Sequence, residues 1–174
     1  MMIWIFGYGS LVWRPNFDFI DRQPAKLSGW ARRFYQGSPD HRGTPNHLGR
    51  VVTLLQIPNE ECYGMAYGIT SDQRNEIFQY LDMREQGGYD LLETDIHLLN
   101  GEKVRGFVYT ANEDNPFYLG PQRLEQMAEQ IVSSSGPSGT NLEYFTELYD
   151  ALKTFAPLEI HMEQLHQEIL KKQA

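Results

Sequence analysis

The sequence predicts an α+β fold, a curled or closed sheet packed by helices, and two observations carry that prediction. Segments rich in Val, Ile, Leu, Tyr, Phe and Trp crowd the first two-thirds of the chain, and apolar residues at helical spacing fill the rest. Strands first and helices later separate the two kinds of element instead of alternating them, which is the pattern of α+β and not of a parallel βαβ sheet.

The strand-like segments are residues 2–6, 26–35, 50–57, 62–69, 91–99 and 103–110. Asn100-Gly101 between the last two is a hairpin signal, with a type I′ turn expected. Pro58 and Asn59 are expected to punctuate the connection between the third and fourth segments. One helix interrupts the series. It starts near Thr70 with Gln73 as capping-box partner, carries Ile77, Phe78 and Leu81 on one face, and ends around Arg84, before Gly87-Gly88. A second helix is expected over 121–134, with Pro121 in its first turn and Leu124, Met127, Ala128 and Ile131 as its stripe. A third runs over 141–156 with Leu142, Phe145, Tyr149 and Leu152, and Pro157 separates it from a last helix reaching about Lys172. Leu158, Met162, Leu165 and Ile169 line that last helix.

At 174 residues the chain suits one domain, residues 1–174, long enough to bury a core without disulfides or structural metal. Cys62 is the only cysteine, so an intrachain disulfide is excluded, and the first apolar run is too short and too poor in basic residues for a signal peptide. A cytosolic, soluble protein is expected, since no segment approaches the roughly 20 apolar residues of a membrane-spanning helix. A formal net charge of −8 and the lack of a dense Lys/Arg stripe argue against nucleic acid as a partner. Acidic residues concentrate beyond the first third of the chain, whereas Arg14, Arg32, Arg33, Arg42 and Arg50 fall within it. These arginines either meet a small anion or solubilise strand edges.

The five histidines offer no metal site: His161 and His166 are five apart, on different faces of a helix, and His41 and His47 flank a turn-rich segment. Cys62 opens an apolar strand pattern, where a buried inert thiol is expected. Two other stretches carry more. In "FGYGSLVW", Gly7 and Gly9 allow positive φ or close approach of a ligand to uncovered amides; the turn either holds an anion or merely joins two segments. In "LDMREQGGYD", Glu85 sits at a helix C-terminus, where the partial negative charge raises a carboxyl pKa towards what a proton acceptor near neutrality needs. The alternative is a solvated Glu at a helix end, paired with Arg84. Residues 36–50, 114–121 and the "SSSGPSG" patch at 133–139 are overspecified for plain connectors.

Taken together, "FGYGSLVW", "ARRFYQGSPDHRGTPNHLGRVVTL", "YLDMREQGGYD", "DNPFYLGP" and "AEQIVSSSGPSGTNLEYF" resemble, in order and over nearly the whole chain, the ChaC-like γ-glutamylcyclotransferases. Val12, Tyr35 and Pro39 stand where that family more often has Ile, Trp and Thr. The resemblance implies a small mixed β-barrel with flanking helices. It further implies cyclisation of the γ-glutamyl group of glutathione to 5-oxoproline with release of Cys-Gly, with no metal or cofactor. By position, the family's catalytic acid/base is Glu85, and the γ-glutamyl group is received by Ile5, Phe6, Gly7, Tyr8, Gly9, Ser10 and Leu11. A cyclotransferase for other γ-glutamyl compounds and a non-catalytic binding module on the same fold are the competing readings; the presence of Glu85 counts against the second.

Overall fold

The structure is a computed structural model, and it describes residues 1–85 and 89–174. Five strands form a closed mixed barrel: β1 (Met2–Gly7), β2 (Asp21–Ser38), β3 (Gly49–Thr70), β4 (Asp90–Leu98) and β5 (Lys103–Thr110), in the order β1-β3-β2-β4-β5. All neighbours are antiparallel except β1 and β5, which close the barrel in parallel through Trp4–Gly106 and Ile5–Phe107. Four helices follow or interrupt the sheet: α1 (Arg74–Arg84), α2 (Leu124–Ser133), α3 (Asn141–Lys153) and α4 (Ile160–Gln173), with a short hairpin of β6 (Ser135–Gly136) and β7 (Gly139–Thr140) ahead of α3. Among the described residues, no helix is long and apolar enough to cross a membrane.

The expected segments 50–57 and 62–69 are one strand. Instead of ending at Pro58-Asn59, the β2–β3 pairing steps from Ser28–Glu61 to Trp30–Gln56, leaving residues 57–60 opposite Gly29. Proline cannot donate to the ladder, so the sheet bulges around it, with Asn59 at φ 71° and Gly29 at φ 82°. The β4–β5 hairpin is as expected, but its turn is not type I′: Gly101 alone has positive φ, 100°, and its N–H donates to Leu98 O at 3.0 Å. That is a turn followed by a left-handed glycine, the longer hairpin solution.

The capping box is present, with Thr70 N–H donating to Gln73 Oε1 at 3.0 Å, and α1 ends at Arg84 as its sequence suggested; Gly87 and Gly88 lie outside the described residues. Helix α2 starts at Leu124, so Pro121 precedes it. The guanidinium of Arg50 accounts for the shift: it donates to Gly120 O at 3.0 Å and to Gln122 Oε1, holding that segment against the barrel. Helix α3 stops at Lys153, and Leu158, expected on the stripe of α4, is 60% exposed ahead of it.

The main core lies between the barrel and α2–α4, built from Phe6, Phe34, Leu54, Ile131, Phe145, Leu148 and Leu165 among others. A second cluster, with Ile5, Leu11, Met65, Ile69, Ile77 and Leu81, seats α1 on β1 and β3. Three of the early arginines, Arg32, Arg42 and Arg50, are buried cations and not surface charges. Arg32 is 0% exposed, donating from Nε to Tyr8 O at 2.9 Å and pairing with Tyr63 O and Glu159. It ties the turn after β1 to both β3 and the approach to α4. Replacing it by Met leaves the Glu159 carboxylate and two carbonyls without their donor, so Arg32→Met is expected to cost roughly 3–5 kcal/mol, read as a lowered urea midpoint. A midpoint within error of the parent chain would show that the pair is dispensable.

Candidate active site

A cleft of about 410 Å³ opens at the end of the barrel where β1 runs into its turn, a size that suits a small organic ligand. Its walls come from distant parts of the sequence: the turn and 3-10 segment after β1, the end of β2 with residues 39–42, Val51 and Val52 of β3, the C-terminal end of α1, Tyr89, Tyr109 of β5, and Ser138 with Tyr144 around the start of α3. Phe6, Tyr8, Gly9, Ser10 and Leu11 line the cleft. Ile5 and Gly7 do not: Ile5 belongs to the α1-side core, and Gly7 faces Leu11, whose Cβ would lie 2.5 Å from a Cβ at that position. The 3-10 segment Ser10–Val12 turns the chain immediately after Gly9, and the first amides of such a segment have no intrahelical acceptor.

The two glycines are there for proximity, not for left-handed backbone. Gly9 has φ −118°, and neither glycine is at positive φ. A Cβ on Gly9 would lie 2.8 Å from Tyr144 Oη and 3.1 Å from Val52 Cγ2. Glycine here lets a buried phenol descend onto the backbone of the turn.

Glu85 is the cap residue of α1, with its N–H donating to Leu81 O at 2.8 Å, and it lines the same cleft. Arg84 fixes the helix end to the turn and does not pair with the neighbouring carboxylate. Its guanidinium donates to Ser10 Oγ at 2.7 Å, Pro15 O at 2.8 Å and Tyr80 Oη at 3.0 Å. The Glu85 carboxyl is pushed up to about 7. Burial among the pocket walls is the main cause, opposed by the Arg84 charge and reinforced by Asp40. The sequence pointed to the right direction for a different reason, since burial and not the helix end dominates.

Five tyrosines line the cleft with Glu85: Tyr8, Tyr80, Tyr89, Tyr109 and Tyr144. Tyr8 Oη donates to Tyr109 O at 2.6 Å, and Tyr109 Oη to Asp82 Oδ1 at 2.6 Å, so two of the phenols brace the wall. On the far wall Gln36 and Arg42, 1% and 2% exposed, bring buried polar atoms, Gln36 Oε1 and Arg42 Nη2, that have no partner among the described residues. Arg14 lines the cleft as well, and its Nε likewise has no partner among the described residues. Sequence reasoning flagged residues 36–50 and the "SSSGPSG" patch, and these supply Gln36 to Arg42 and Ser138. Residues 114–121 stand one layer behind: Asn115 Oδ1 accepts from Gln36 Nε2 at 2.9 Å.

His161 and Cys62 are structural. His161 Nε2 accepts from Phe34 N–H at 3.1 Å, and burial among arginines depresses its pKa to about 3; burial raises the Cys62 thiol to about 12. Among the described residues, no group of three or more His, Cys, Asp or Glu is placed to hold a metal ion.

The fold is a closed α+β barrel with a cleft of small-ligand size at one end. A model of the ChaC-like protein family matches residues 3–172, and the chain belongs to that family. It is 42% identical over 159 residues to the glutathione-specific γ-glutamylcyclotransferase 1 of Mus musculus, covering 89% of this chain and 71% of that protein. With the glutathione-specific γ-glutamylcyclotransferase of Saccharomyces cerevisiae it shares 34% identity over 197 residues, covering 86% and 85% of the two chains. The crystal structure of a yeast γ-glutamylcyclotransferase specific to glutathione superimposes with a TM-score of 0.89 at 30% identity, covering 100% of both chains.

Proposed function

We propose that this protein is a glutathione-specific γ-glutamylcyclotransferase, residues 1–174 acting as one unit, in which Glu85 moves the protons and the turn from Tyr8 to Leu11 receives the γ-glutamyl group. The observation that carries the proposal is the placement of a carboxyl with a near-neutral pKa in the same cleft as the glycine turn, with Arg84 tying the two together. The names of the relatives at 34–42% identity supply the substrate.

The chemistry needs little more than positioning, because the nucleophile belongs to the substrate. The glutamyl α-amine of a folded-back substrate reaches its own γ-carbonyl, and holding that conformer replaces an encounter by an intramolecular approach. As the amine nitrogen bonds to the γ-carbon, its surplus proton passes to the Glu85 carboxylate. When the γ-carbon to cysteinyl nitrogen bond breaks, the same carboxyl returns the proton to the departing nitrogen, giving 5-oxoproline and Cys-Gly. Within this proposal the reaction runs in the reducing cytosol, where Cys62 stays a thiol.

The test is incubation with a panel of γ-glutamyl compounds, with and without chelator, following 5-oxoproline by mass spectrometry. Turnover of reduced glutathione at a chelator-independent rate is expected. Turnover of γ-glutamyl-alanine or a γ-glutamyl amine in its place would reassign the substrate.

A pH profile tests Glu85 separately. The carboxylate is the form that accepts the proton, so kcat/KM should fall about tenfold per unit as pH drops below roughly 7. Because the Asp40 charge helps to raise the Glu85 pKa, Asp40→Asn should move that limb to lower pH. A limb that stays fixed in Asp40→Asn would assign it to some other group.

A further inference from the structure

The mechanism above leaves several groups in the cleft unused, and Tyr144 is the one placed against the glycine turn. Tyr144 is 6% exposed, lines the cleft, and is held from every side. Asn141, one helical turn earlier, locks the start of α3 to β3 by exchanging two hydrogen bonds with Arg50: it accepts from Arg50 N–H at 2.7 Å and donates to Arg50 O at 2.8 Å. The ring meets Trp13 edge-on at 5.4 Å and Phe34 at 6.0 Å, and the Arg42 guanidinium lies 5.7 Å from its centroid. Its oxygen accepts from Val52 N–H at 3.3 Å. The hydroxyl's own hydrogen has no acceptor among the described residues, whereas the phenols of Tyr8, Tyr67, Tyr109 and Tyr149 all donate to one.

That unspent donor sits beside the glycine turn. The Gly9 geometry puts Tyr144 Oη against the backbone on which the γ-glutamyl group is proposed to lie. We infer that the Tyr144 hydroxyl donates a hydrogen bond to the γ-carbonyl oxygen as that oxygen takes on negative charge. The inference rests on the cyclotransferase reading and adds a side-chain donor to the backbone amides of the turn.

The step balances without a proton leaving the phenol. Attack by the amine nitrogen forms the N–C bond and pushes the carbonyl π pair onto oxygen; the phenol O–H stabilises that oxyanion and keeps its proton. Collapse re-forms the carbonyl as the C–N bond to cysteine breaks, with the leaving nitrogen protonated by Glu85. Burial holds the Tyr144 proton well above its ordinary value, so the group remains a neutral donor at any working pH. A neutral, fixed donor suits charge that appears only in the transition state. The full charge of a substrate carboxylate is better met by a guanidinium, and Arg42, whose Nη2 has no partner among the described residues, supplies one on the same wall.

Tyr144→Phe keeps the ring and removes the donor. The expected result is a kcat lower by about 10²-fold, with KM changed by no more than about threefold, since ground-state binding is untouched. The acid limb of the pH profile should stay where Glu85 sets it. Unchanged kcat would overturn the inference. So would a raised KM at full kcat, which would mean the hydroxyl holds a ground-state group such as a carboxylate. Should the Phe variant prove unstable, 3-fluorotyrosine at 144 keeps both ring and hydroxyl: kcat at or above the parent value is expected, and a loss as large as that of Phe would overturn the assignment. A parent protein inert towards the whole γ-glutamyl panel would instead remove the cyclotransferase reading itself.

Discussion

Glu85→Gln is expected to lower kcat for glutathione by about 10⁴-fold or more, because general acid–base groups contribute roughly 10²–10⁴-fold and one carboxyl here serves both proton transfers. The change is nearly isosteric, and the amide presents the cleft with much the same hydrogen-bonding surface as the protonated acid. Binding should therefore suffer far less than turnover, which calorimetric titration beside single-turnover assays would separate. Loss of fold is not an alternative account, because the linkage runs the other way. A carboxyl whose folded pKa is raised from its ordinary 4.5 to about 7 binds its proton more tightly in the folded chain. The stability it confers is full below pH 4.5 and is lost as pH rises through 7. Glu85→Gln, which cannot ionise, should escape that loss and be more stable than the parent at pH 8. A folded Glu85→Gln protein that keeps more than about a tenth of the parent kcat would be incompatible with an acid/base role of this size.

Glu85 stood out in the sequence as a carboxylate before two glycines at a helix end, but that local oddity left a solvated Glu equally open, and only the family resemblance gave it a role. The cause of its raised pKa was not legible, since burial depends on walls contributed by β1, β2 and α3 from distant parts of the chain. The same division runs through the fold. Helices α1 to α4 announce themselves by apolar residues at helical spacing, with a capping box ahead of α1, which are properties of neighbouring residues. The continuity of β3 past Pro58 depends on β2 bending with it at Gly29, and the late start of α2 depends on Arg50 holding Gly120 and Gln122. For Arg32, Arg42 and Arg50 the sequence left an anion site and a surface charge both open, because it gives no burial; their partners are mostly carbonyls and amides more than 15 residues away. Arg84 was legible as a cation beside Glu85, but its bond to Ser10 Oγ crosses from α1 to the turn and no spacing rule reports it. Tyr144 lay within the stretch AEQIVSSSGPSGTNLEYF that carries the resemblance, but nothing in its spacing set it apart from a core aromatic on a helix.

Gly9→Val should leave the barrel folded and cost the cleft its ligand. Its first new carbon would lie 2.8 Å from Tyr144 Oη and 3.1 Å from Val52 Cγ2, closer than such atoms pack. Val52 belongs to the barrel wall and is 3% exposed, so it has little room to retreat. The phenol of Tyr144 or the turn itself must move, and the two further methyls of valine occupy space where a substrate would meet the backbone. Overpacking of this kind typically costs about 1–3 kcal/mol, which a domain of this size should tolerate. Misplacing a positioned substrate by about 1 Å costs on the order of 10²-fold in rate, and here a donor is displaced as well. A fall in kcat/KM of at least about 10²-fold is therefore expected, with glutathione affinity reduced in the same titration that leaves Glu85→Gln nearly intact. Gly9→Ala adds the offending carbon without the branch and should fall between the two, because the phenol end can swing aside to relieve one contact. Circular dichroism and a urea midpoint establish that each variant is folded. Parent-like glutathione affinity in folded Gly9→Val protein would return residues 7 to 11 to the role of a tight turn, and the γ-glutamyl group would have to be gripped from the Gln36–Arg42 wall instead.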